Sequence, residues 1–182
     1  MLTLIETAVV RLEQQAKLEQ APPPVTLNVK ALRCLGNTVG ITHQLNMREA
    51  KPQKAANKLR DETIPQLRKL IEQNDIDSYD ERAKSVCSDF RILVERCVEK
   101  ILFNDVLQRF RRSVETKGKI GALAKITAGD CTFIDDLMTR YSAFEHSQPD
   151  ELPAVLPNID DLQADVEELA TWISNFEKRA AV

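Results

Sequence analysis

Aromatic residues make up only 5% of this 182-residue chain, with a single tryptophan, and glycine occurs five times. A chain of many tight β-turns needs more glycine than that, which excludes an all-β sandwich or barrel. Cys34, Cys87, Cys97 and Cys131 lie far apart and form no C-x-x-C pair. Together with only two histidines, they offer no zinc-ligand spacing. The phosphate-cradling pattern G-x-x-x-x-G-K-[ST] is missing too: Gly36-Asn37-Thr38-Val39-Gly40-Ile41-Thr42 approaches it but lacks the lysine. The sequence therefore calls for no nucleotide, no metal and no other cofactor. No apolar run reaches the ~18–20 residues of a membrane span. The residues after Met1 carry Glu6, Arg11 and Glu13 where a signal peptide needs an apolar stretch. These absences predict a cytoplasmic protein with reduced thiols and no contact with a membrane.

Apolar residues make up 43% and charged residues 29% of the chain, enough for a real core in a single main domain. The formal net charge of −3 gives no global pull toward nucleic acid, but the charges are unevenly spread. Between Arg109 and Lys125 stand six bases against Glu115 alone, and between Asp150 and Glu168 seven acids and no base.

Helical spacing dominates the pattern. Leu4, Ile5, Ala8, Val9, Leu12 and Ala16 form one face of a first helix, opened by Thr3 and Glu6 in capping-box spacing. Pro22-Pro23-Pro24 then sets off residues 1–24, a helix and linker, from a helical domain over residues 25–182. Leu27 to Met47 reads as a second helix weakened by Gly36 and Gly40. Pro52 suits a first helical turn, whereas Pro65 predicts a kink or a break in the helix that runs to Gln73. The clearest stripe follows: Val86, Phe90, Leu93, Val94, Cys97, Val98, Ile101 and Leu102, capped by Ser78 with Glu81 and ended by Asn104 and Asp105. A short helix over Ile120–Ile126, one capped by Asp130, and a last one capped by Asn158 or Asp160 complete an all-α bundle of five to seven helices with an N-terminal helical arm.

One segment could carry chemistry. Arg140, Glu145 and His146 lie where a helix gives way to a proline-rich stretch. An imidazole titrates near neutral pH and a guanidinium suits a phosphate, the minimal kit for metal-independent RNA cleavage, with Glu145 orienting the imidazole or acting as base. The plainer reading pairs Arg140 with Asp136 one turn earlier and leaves His146 at a helix end. Arg109, Phe110, Arg111, Arg112, Lys117 and Lys119 could track a phosphate backbone, with Phe110 stacking on a base. Equally, they could be a surface loop after a long helix, with Phe110 in the core.

Three pieces share a likeness. Asp89–Asn104, then Gln108-Arg109-Phe110-Arg111, and Asp135–Tyr141 with His146 resemble the C-terminal helical region of large bacterial AAA/SMC-like ATPases of phage-defence or anticodon-nuclease type. The likeness covers roughly Ser78 to Arg179, and the ATPase motifs are absent from this chain. It implies a helical interaction or regulatory domain that serves an ATPase partner and contacts RNA or DNA. In that family an arginine and a histidine recur ahead of a proline-containing loop and a last acidic helix, as Arg140, His146, Pro149 and the stretch from Asp160 do here. The Arg140–His146 spacing is also similar to that of HEPN-type ribonucleases, which are helical and usually homodimeric. Those enzymes commonly have a polar residue after the arginine, where this chain has Tyr141.

Overall fold

A computed structural model describes residues 8–9, 12, 15–16, 18–20, 31–35, 38–43, 50–109, 113–142, 144 and 156–180. The chain forms two compact units, Met1–Asn46 and Met47–Val182.

In the first unit Ala8, Val9, Leu12, Gln15, Ala16 and Leu18 are helical. Val9 and Ala16, seven residues apart, are buried, whereas Leu18 is 87% exposed. The helix expected over Leu27–Met47 is not what forms. Ala31–Leu35 (β1) and Thr38–His43 (β2) pair antiparallel, with Ala31 opposite His43 and Leu35 opposite Thr38. The reason is in the residues: Thr38, Val39, Ile41 and Thr42 are β-branched.

The second unit is the expected α-helical bundle. Pro52 occupies the first turn of α1 (Pro52–Lys58), where its missing N–H costs nothing. A π-helical turn, Leu59–Thr63, leads directly into α2 (Ile64–Glu72), and the Ile64 N–H donates to the Leu59 carbonyl five residues back. This widened turn is how the chain accommodates Pro65, which can neither donate to the carbonyl four residues earlier nor tolerate its crowding. The expected kink is thus a change of hydrogen-bond register in a continuous rod.

Asn74 leaves the helix with φ of 56°, and α3 (Ile76–Cys97) starts at once. Its cap is Asp75, whose carboxylate accepts from the Ser78 N–H at 3.2 Å, so the helix begins three residues before the Ser78/Glu81 box. A second π turn, Val98–Leu102, extends it, and Asn104 and Asp105, both at positive φ, end it where the sequence predicts. Ala83, Val86, Cys87, Phe90, Leu93, Val94 and Cys97 are all buried, a 3–4–3–4 spacing that turns one wide face inward. That face makes α3 the axis of the unit, in contact with α1, α2 and the two helices that follow.

A 3-10 helix spans Ile120–Lys125. The next helix, α4 (Ala128–Tyr141), is capped by Thr127 in a capping box with Asp130, so Asp130 is the third helical residue and not the cap. Asn158 caps α5 (Ile159–Lys178), its side chain accepting from the Asp160 N–H at 3.0 Å. Phe90, Leu59, Leu67, Leu93, Leu137, Leu162, Leu169 and Ile173 are essentially inaccessible to solvent. Burial of each is worth about 1.5–3 kcal/mol before the entropy of ordering is subtracted. Among the described residues no helix is long and apolar enough to cross a membrane.

Candidate functional site

Arg140 stands at the end of α4 and reaches across to α5. Its Nη1 pairs with Asp165 Oδ1, and the other carboxylate oxygen accepts from the Tyr141 hydroxyl at 2.7 Å. Asp165 and Tyr141 are buried, whereas half of the Arg140 side chain is exposed. The hydrogen bond to Asp165 raises the Arg140 pKa. Burial, then the same carboxylate, pushes the Tyr141 hydroxyl far above the usual phenol range. Tyr141 also packs edge-on against Phe90, with ring centroids 4.7 Å apart. The partner of Arg140 is therefore a buried acid of another helix, not Asp136 alone. Glu145 and His146 lie outside the described residues.

At the opposite end of the same helix pair, Asp130 collects donors from three places. Thr127 gives its N–H at 2.8 Å and its hydroxyl at 2.6 Å, Trp172 its indole N–H at 2.8 Å, and Arg179 two N–H groups at 2.6 and 3.2 Å. Burial alone would raise this carboxyl's pKa. Arg179, Thr127 and Trp172 outweigh it and hold the group well below the ordinary carboxylate range. Arg179 also donates to the Lys125 carbonyl at 2.8 Å and lies over the Phe176 ring. Both clasps join α4 to α5 and place them antiparallel. Neither leaves its carboxylate open to a ligand.

The basic stretch divides in the same way. Arg109 turns back on α3, its Nη1 on Glu95 at 2.5 Å and its Nε on Glu99. Lys119 pairs with Glu115 at 2.8 Å, and Lys117 is exposed. Phe110, Arg111 and Arg112 lie outside the described residues.

The Arg109 pairing closes one side of a groove that the sequence did not suggest. A cavity of about 400 Å³ is lined by Val98, Phe103, Leu107 and Met138, with Glu95, Glu99, Gln108 and Arg109 at its rim. Most of its wall is apolar, and Leu107 is 49% exposed. The groove exists because Asn104 and Asp105 turn the chain out of the second π turn, so that Leu107–Arg109 come back along α3. Met138, from α4, supplies a flexible wall of the kind that adapts to different partners. Behind it the Arg91 guanidinium touches the Met138 sulfur and pairs with Glu95 at 2.9 Å. The sequence trace of the groove was Leu107, an apolar residue two positions past the helix-ending Asn104-Asp105 pair.

Among the described residues no group of three or more His, Cys, Asp or Glu side chains could hold a metal ion. Cys87 and Cys97 are buried, which pushes both thiols up to about 12, whereas Cys131 is exposed. No family model, no curated protein and no solved structure matches the chain.

Proposed function

We propose that this chain is a helical interaction module that regulates an AAA/SMC-like ATPase system, in phage defence or in DNA or RNA processing. The observation that carries the interaction reading is the groove between α3, the Phe103–Arg109 turn and Met138. An open, largely apolar concavity with a charged rim costs the free protein solvation, and such surfaces are where partners bind. The ATPase as partner, and contact with nucleic acid, rest on the resemblance of Asp89–Asn104, Gln108–Arg111 and Asp135–Tyr141 alone. Co-expression with candidate AAA/SMC-like ATPases tests the assignment. Co-purification that Leu107→Glu abolishes supports it; a folded chain that never associates with such an ATPase overturns it.

The alternative is a metal-independent, HEPN-like endoribonuclease using Arg140 and His146, with Glu145 assisting. The Arg140–Asp165 pair counts against it, because a phosphate would compete with a buried carboxylate that already holds the guanidinium. Incubation with total RNA in EDTA decides. Cleavage lost in both Arg140→Ala and His146→Ala would establish the enzyme, and intact RNA would leave the interaction module.

A further inference from the structure

The groove described above has a charge pattern as well as an apolar floor, and the pattern narrows what can enter it. Two carboxylates, Glu95 on α3 and Glu99 in the π turn that extends it, stand one helical turn apart, each about a quarter exposed. A single guanidinium of the lining, Arg109, bridges both. Arg109 belongs to the turn beyond α3 and half of its side chain faces solvent, whereas both carboxylates are about three-quarters covered, so the cation sits on the open side of the seat. The seat it fills is one for any cation on an aliphatic stem, and the apolar walls at Val98, Phe103 and Leu107 begin beside it.

We propose that the groove receives a short segment of a partner protein that carries a large apolar residue beside an arginine or lysine, and that Arg109 keeps the cation seat until that segment arrives. This rests on the interaction reading and names its chemistry. The apolar side chain of the segment covers Leu107 and packs between Phe103 and Met138. Its cation displaces Arg109 from Glu95 and Glu99. Arg91, held at Glu95 from behind, keeps that carboxylate pointed into the seat during the exchange. A cavity of about 400 Å³ takes a few side chains, not a whole helical face.

The test is selection of random twelve-residue peptides on the full chain, followed by calorimetry of the enriched peptide against three variants. The expected consensus pairs an apolar residue with a base. Leu107→Glu should weaken the enriched peptide tenfold or more, and Glu99→Gln, which keeps the shape of the rim, about fivefold. Arg109→Ala should tighten it at least threefold, since the internal competitor is gone. Circular dichroism confirms that each variant is folded, and Glu99→Gln and Arg109→Ala carry the test if Leu107→Glu is not.

An acidic or purely apolar consensus, no enrichment at all, or weaker binding to Arg109→Ala would each overturn the proposal. So would a Leu107-dependent self-association in sedimentation velocity, which would make a second copy the occupant, or displacement of the peptide by oligonucleotide. Leu107-sensitive capture of the ATPase without a basic–apolar consensus would sink this inference and leave the interaction reading standing. Loss of both would sink both.

Discussion

Asp130, in the first turn of α4, and Arg179, one residue past the end of α5, are 49 positions apart in sequence and joined by two hydrogen bonds of 2.6 and 3.2 Å. The same carboxylate closes the Thr127 capping box and anchors the Trp172 indole. One buried side chain thus fixes a helix start, an aromatic cluster and a helix end together.

Removing it should therefore cost more than a cap. Asp130→Ala should lower stability by about 3 kcal/mol, the range for breaking a buried pair from one side combined with loss of a cap. Urea unfolding measures this as a lower midpoint at unchanged slope. Arg179→Ala should cost less, because that side chain is a third exposed and its loss leaves Thr127 and Trp172 in place.

The depressed pKa of the same group predicts a pH dependence of stability. Its folded pKa is depressed, so its contribution is complete above the unfolded aspartate value near ~4 and declines as pH falls toward the folded value. Wild-type stability should drop steeply below about pH 4. Asp130→Asn should be less stable at neutral pH and show a shallower acid slope. Equal slopes in the two proteins would assign acid unfolding to other carboxylates.

Tyr141→Phe keeps the ring on Phe90 and deletes only the hydroxyl that donates to Asp165. A hydrogen bond to a buried charged group contributes about 1.5–3 kcal/mol, and the variant should lose that much. In a double-mutant cycle with Arg140→Ala the two changes should be non-additive, since both remove partners of one carboxylate. Additivity would mean that the Arg140–Asp165 pair is not kept in solution.

The cysteines give a separate readout. In a Cys34→Ala background, one thiol, Cys131, should react rapidly with a disulfide reagent in the native protein. Cys87 and Cys97, buried with pKa pushed up to about 12, should react only on unfolding. Their folded pKa lies above the unfolded value, so their contribution to stability is full below pH ~9 and is lost as pH rises toward 12. Two fast thiols at neutral pH would contradict the packing of α3.

What could be read from the chain was whatever one helix writes by itself. The α3 stripe from Val86 to Leu102, its end at Asn104-Asp105, and Pro52 in a first turn all depend on local spacing, and all stand in the structure. The β-hairpin escaped because Leu27, Ala31, Leu35 and Val39 also fit a helical period, while the evidence for strands lay in β-branching. The relations of Arg140 could not be read at all, since its partner lies 25 residues away in another helix. Even so, Asp165 betrays itself: it falls between Leu162 and Leu169 on the buried face of α5, where an acid needs a partner. Nothing in the sequence singles out Glu95 and Glu99, because Arg109 reaches them only through the turn after α3.

The two clasps between α4 and α5 have opposite polarity: acid on α4 with base on α5 at one end, base on α4 with acid on α5 at the other. Were α5 to dock end for end, Asp165 would meet Asp130 and Arg179 would meet Arg140, like charge against like. The apolar faces of the two helices, rich in Leu, Ile and Phe, would tolerate that reversal far better. The four charged residues therefore favour one orientation of the two helices over its reverse.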